Sequence, residues 1–196
     1  MSLKSGEVLG YLVPNVILFQ IFSKLLSIED ICRFDSAICN KKRRPLFLEI
    51  VGSEFCIFLG DKDRDFSSHA ISWLISRSIK IRHLKCDRVC TDTAAQICSF
   101  VRTLHWLSIQ DIHLTHYSLD IIVSVCPNLQ SLELLECGFG LLGSINDYSV
   151  IRIVEECPHL CSLDLTWNTN ITDKSIVKLA EKCPKLLNLI WRTGIM

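Results

Sequence analysis

The chain has no excess of charge of either sign, with 21 Lys plus Arg against 21 Asp plus Glu. Nothing global therefore steers it to nucleic acid or to an anionic membrane. It also lacks an apolar run long enough to span a bilayer. Tyr11–Phe22, behind Lys4, is too short, Glu7 and Pro14 interrupt the stretch, and no small-x-small cleavage site follows, which argues against a signal peptide. A G-x-S-x-G elbow is missing. So is a phosphate loop, because Gly138 and Gly140 are not followed by Lys-Ser/Thr. No local pattern supplies the third group that would orient a Cys–His pair. Cys86-x-x-x-Cys90, Cys157-x-x-x-Cys161 and His113-x-x-His116 occur, but none is a C-x-x-C with a second pair at zinc spacing. These gaps predict a chain that is not an enzyme and uses no metal or cofactor.

What is present begins with 11 cysteines in a chain that is 49% hydrophobic. Small secreted scaffolds concentrate Cys to replace a missing core. This chain is rich in Leu and Ile, its Cys count is odd, and several Cys recur at fixed places, as small buried hydrophobes do. A reducing compartment follows, the cytoplasm or the nucleus. The run Lys41–Arg44 could serve nuclear import or touch nucleic acid. The reading adopted is a solvated face near a helix C-terminus.

An internal repeat organises the second half. Leu129-Gln-Ser-Leu132-Glu-Leu134-Leu-Glu-Cys137 reads L-x-x-L-x-L-x-x-C. Leu160-Cys-Ser-Leu163-Asp-Leu165-Thr-Trp-Asn168 repeats it with Asn in place of Cys, and Leu104 to Ile112 is a third copy. Weaker copies begin at Ile81 and Leu186, so the starts lie 23, 25, 31 and 26 residues apart, with Gly138–Gly143 as an insertion in the longest interval. A second register agrees with the first, since Cys126-Pro127, Cys157-Pro158 and Cys183-Pro184 each shortly precede the next copy. Each L-x-L is a short strand with alternate residues buried.

A helix is expected after each strand, over 67–77, 92–101, 116–125 and 147–156, and again after Thr172. That last helix has Thr172 as N-cap, Ile176, Leu179 and Ala180 as its apolar face, Lys182 near its end and Pro184 as its stop. No unit buries its own faces alone, but stacked units do. The side chain of Cys137 or Asn168 is expected to bond backbone in the turn after its strand. The sequence runs to Met196 within a fifth strand and shows no closing helix, which predicts either a truncated array or an edge completed by a partner.

The pattern resembles the cysteine-containing subclass of leucine-rich repeats over residues 76–196, most closely in Ile171-Thr-Asp through Cys183-Pro-Lys-Leu186. The first fifty residues carry an apolar helical face at Ile17, Leu18, Ile21, Phe22 and Leu25, with Pro14 in its first turn, and a second helix beginning at Asp30-Ile31. This segment resembles an F-box, matched at Pro14, Ile17, Ile21, Phe22, Leu25, Asp30, Ile31, Ile38 and Cys39, with Val13 where the family usually has Leu. A plain helical cap over the first repeat is the alternative.

The expected fold class is therefore α/β, a leucine-rich-repeat solenoid of short right-handed strand–helix units. A small helical F-box-like module (1–50) and a connector (51–75) precede it. The resemblance implies a substrate receptor of an SCF ubiquitin ligase. Pro14, Ile17, Leu18, Ile21, Phe22, Leu25, Asp30 and Ile31 would dock the Skp adaptor, and the concave face of the repeats would hold a target protein. A stand-alone repeat scaffold is the alternative.

The concave positions are the residues between the core leucines. Lys85, Trp106, Ser108, Glu133, Glu136, Asp164 and Trp167 are the candidate contacts, and they favour a basic or polar partner. Each Trp could instead fill a gap between rungs. No nucleic-acid or membrane partner is expected, and the chain is expected to act as a monomer within a complex.

Overall fold

The computed structural model describes residues 26, 28–38, 43–52, 57–58, 68–86, 97, 103–110, 114–137 and 144–192. Among the described residues, helices α1 (Ile28–Ala37) and α2 (Arg43–Val51) come first, and α3 (Ser68–Ser76) lies between the first two strands. Strands β1 (Ile57–Phe58) and β2 (Lys80–Ile81) pair in parallel. Then follow β3 (His83–Cys86), β4 (Trp106–Gln110), α4 (His116–Val125), β5 (Ser131–Leu135), α5 (Asp147–Glu156), β6 (Ser162–Asp164), α6 (Asp173–Lys182) and β7 (Asn188–Ile190). Strands β3 to β7 form one sheet in chain order, every neighbouring pair parallel. Helices α4, α5 and α6 pack side by side in the same order. Strands make one row and helices another, with the apolar interior between them.

The register follows from the repeat. Leu84, Leu107, Leu132, Leu163 and Leu189 lie opposite one another across the five strands, and Cys86, Ile109 and Leu134 form a second inward row. Leu104, Leu129, Leu160 and Leu165 are buried in the same interior. The expected helices at 116–125 and 147–156 are present, and Thr172 caps α6 by accepting from the Lys174 N–H. The expected helix at 92–101 lies outside the described residues apart from Ile97, which is buried.

Cys126, Cys157 and Cys183 close their helices alike. The backbone N–H of each donates back into its helix, to the carbonyls of Val123, Ile153 and Leu179, and its own carbonyl accepts from the leucine three residues on. None of the seven cysteines among the described residues is in a disulfide.

The joints between units are also regular. The carbonyls of Arg82, His105, Gln130 and Cys161 each accept two consecutive N–H groups from the next unit. In the turn after β5, the Cys137 thiol donates to the carbonyls of Ile109 and Leu135, both at 3.5 Å. In the turn after β6, the Asn168 amide donates to Leu134 O at 2.7 Å and Thr166 O at 3.3 Å, and its Oδ1 accepts from the Cys137 N–H. Each side chain thus bonds the carbonyl two residues before itself and one in the preceding unit. Cys and Asn at this place do one job.

The first helices are tied together by Asp35, a buried carboxylate on α1. Arg44 Nε of α2 lies 2.8 Å from one oxygen and Arg77 Nε, just beyond α3, lies 2.6 Å from the other. Arg44 thus sits exposed at the start of a helix in an ion pair, not near a helix C-terminus as read for the run Lys41–Arg44, of which Lys41 and Lys42 lie outside the described residues. Pro45 tolerates this placement because a first-turn residue needs no intrahelical N–H bond.

Gly52 makes the junction of α2 and α3 possible. A Cβ there would stand 2.8 Å from the Arg77 carbonyl oxygen and 3.0 Å from that of Leu48. Both are backbone atoms, so Gly52→Ala should cost about 1–2 kcal/mol, read as a lower urea midpoint at unchanged m-value.

Candidate functional site

The sheet presents two rows of side chains away from the core, since alternate residues of a strand face opposite ways. One row runs His83, Trp106, Ser131, Ser162, Asn188, and the other Lys85, Ser108, Glu133, Asp164, Ile190. Neighbours within a row are about 4.8 Å apart. The structure therefore brings Lys85, Glu133 and Asp164 onto one line, with Ser108 between the first two.

Two of the expected contacts are not available. Trp106 is only 7% exposed: the His83 ring meets it edge-on with centroids 6.0 Å apart, and its indole N–H donates to Glu133 Oε1 at 3.0 Å. It fills the space between rungs and orients Glu133 instead of offering a surface. Ser108 is 1% exposed, buried beside longer neighbours in its row. Period-two alternation gives the direction of a side chain, not what its neighbours lay over it.

Glu133 and Asp164 remain half-buried on the face. The Asp164 Oδ1 accepts from the Thr166 N–H at 2.9 Å and from its hydroxyl, so this carboxylate is held by its own turn. Glu136 and Trp167 are exposed and occupy equivalent turn positions, one residue before Cys137 and Asn168, at φ values of 55° and 64°. Left-handed backbone costs a residue with a Cβ roughly 1 kcal/mol. The Cys137 and Asn168 bonds that follow hold both turns in it. Trp167, 42% exposed, lies in the turn three residues after Asp164.

The rest of the apolar character was missed in choosing the contacts. Leu135 is half-buried and Ile190 is exposed at the end of the second row. Leu135 follows the core residue Leu134 and Ile190 follows Leu189 of the inward row, and an apolar residue at the outward phase of a strand was the available signal.

Of the expected adaptor contacts, Pro14, Ile17, Leu18, Ile21, Phe22 and Leu25 lie outside the described residues. Asp30 is half-buried, 3.7 Å from Arg33. Ile31 is fully buried in the chain's own core, which corrects its assignment as a docking residue. An apolar helical stripe looks the same in sequence whether it faces an internal core or an external groove.

Burial pushes the Cys157 thiol up to about 12, so it carries no thiolate near neutrality. Among the described residues no group of three or more His, Cys, Asp or Glu could hold a metal ion, and no helix is long and apolar enough to cross a membrane.

These features define the class: an α/β chain whose helices join successive strands of a five-stranded parallel sheet, with a polar and aromatic outer face. No protein-family model matches the chain, and no curated protein matches it.

Proposed function

We propose that the chain is a leucine-rich-repeat adaptor that captures a protein on the outer face of its sheet. Its helical first segment would join it to a ubiquitin ligase of the SCF type through a Skp adaptor. One observation carries the repeat reading. Cys137 and Asn168, one unit apart in the repeat, each bond the carbonyl two residues before and one in the preceding unit, the role the repeat pattern gives that position. The sheet face supports the binding reading. Glu133 and Asp164 are held in fixed positions in one row with exposed Ile190, exposed Trp167 lies in the turn that follows Asp164, and aromatic anchors among oriented charge are how interfaces concentrate their affinity. The partner that fits is a protein segment with Lys or Arg flanked by apolar residues. Tethering ligase and target at two ends raises the target's effective concentration without chemistry in the chain itself. A reducing compartment, cytoplasm or nucleus, is part of this reading.

Ile31 favours a second reading. It and Asp35 are buried within the chain, which is how a plain helical cap of a stand-alone scaffold behaves. Mixing the purified chain with a Skp adaptor separates the two. Co-elution that is lost in Ile21→Asp or Leu25→Asp supports the ligase link, and no complex at micromolar concentration leaves the scaffold. Target capture is tested apart from this, in pull-downs with Glu133→Lys and Trp167→Ala. Either change should cut capture about tenfold or more.

A further inference from the structure

The helix side of the array carries an aromatic cluster that neither the core nor the sheet face uses. Helices α4, α5 and α6 begin after the caps Thr115, Asn146 and Thr172. The second residue past each cap is Tyr117, Tyr148 and Lys174, and all three are exposed, Tyr117 at 71% and Tyr148 at 54%. One turn along α4 from Tyr117, Ile121 is 42% exposed and extends the apolar surface.

The first residue past each cap turns toward the following helix. The His116 ring of α4 meets the Tyr148 ring of α5 edge-on, with centroids 6.4 Å apart. Asp147 of α5 accepts from the Thr172 N–H and hydroxyl and from the Ser175 hydroxyl of α6. The His116 ring also lies 3.9 Å from that of Tyr117, so the two phenol rings stand at most about 10 Å apart. That agrees with the usual separation of packed helices, about 8–10 Å. The carboxylates nearby are engaged, Asp120 by Arg152 and Asp147 by α6. Asp173 takes the place of Asp147 in its unit, so the same register points it away from α5. The row therefore reads phenol, phenol, ammonium, one step per helix.

We propose that this row docks a proline-rich segment of another protein, bound as a polyproline II helix and carrying an acidic residue. Such a helix advances about 9.3 Å every three residues, so its residues i, i+3 and i+6 share one face and keep step with the three helices. Prolines at i and i+3 stack on Tyr117 and Tyr148, the way aromatic-lined grooves take this conformation. An acid at i+6 pairs with Lys174, and a base there is repelled. The polyproline II backbone has no internal hydrogen bonds, so its carbonyls are open to the tyrosine hydroxyls. The reversed order, acid first, offers the same spacing. This segment is opposite in charge to the one proposed for the sheet face, so the two surfaces select different partners.

Fluorescence anisotropy tests it, with labelled Pro-Pro-Ala-Pro-Pro-Ala-Glu and its reversed sequence titrated with the full chain up to about 1 mM. At least one peptide should saturate, with a dissociation constant on the order of 100 µM or below. Tyr148→Ala should weaken binding about fivefold or more, at an unchanged circular dichroism spectrum. Lys174→Glu should weaken it as well, and should bind more tightly the peptide in which Lys replaces Glu. That reversal carries the test by itself if Tyr148→Ala disturbs folding. No saturation by either peptide overturns the proposal, as does binding indifferent to Tyr148→Ala or to the charge reversal. Self-association of the chain that Tyr148→Ala abolishes would assign the row to a second copy and overturn it too.

Discussion

Replacing Asn168 with alanine should lower stability by about 3 kcal/mol, the largest loss expected from a single polar side chain in the repeats. The side chain is 1% exposed and serves Leu134 O, Thr166 O and the Cys137 N–H. Alanine would leave buried backbone groups without partners, each costing about 1–3 kcal/mol. In a chain of this size that lowers the melting temperature by roughly 6–12 °C. Asn168→Cys should recover about half of the loss, because the Cys137 thiol already makes the equivalent pair of bonds one unit earlier. Thermal unfolding of the two variants side by side checks this. Equal losses for Ala and Cys would show that the two residues are not interchangeable there.

Asp35→Asn should cost about 2–4 kcal/mol at neutral pH. It leaves Arg44 and Arg77 facing an uncharged group at a buried position, a loss moderated by the solvent around Arg44. The effect depends on pH in a defined sense. The Arg44 hydrogen bond, and after it that of Arg77, outweighs burial and holds the Asp35 carboxyl below the usual carboxylate range. A group with a depressed folded pKa adds stability that is complete above its unfolded value, about 3.9, and fades as pH falls through the folded value. Wild type and variant should therefore differ fully at pH 7 and converge as the pH falls below the usual carboxylate range. Denaturant unfolding across that range measures it, and a difference that stays constant to low pH would remove the ion pair as its cause.

The leucine spacing made the interior of the repeats legible. Leu104, Leu107, Leu129, Leu132, Leu160, Leu163 and Leu165 converge in one apolar cluster, and the helix spans around them follow. That part is local, carried by a period and a cap within each unit. What spans long separations was not legible. Arg77 reaches Asp35 from 42 residues away, and nothing near either residue announces the other. Asp147 stands in the first turn of its own helix, yet it secures the following helix as well. On the sheet face, alternation placed Trp106 correctly but could not reveal that His83 and Glu133 enclose it, so a filler was taken for an anchor. Ile31 was misplaced for the same reason in reverse, since a helical stripe does not say which surface it meets.

The joint in which one carbonyl takes two successive donors has a practical consequence. The spacing between repeat starts varies from 23 to 31 residues, yet the joint is the same at Arg82, His105, Gln130 and Cys161. The link is thus indifferent to how much chain lies in between, which makes the array editable in whole segments. Excising 129–159, so that Asn128 runs directly into Leu160, should yield a shorter array in which Ser162 takes up the partner Ser131 has now.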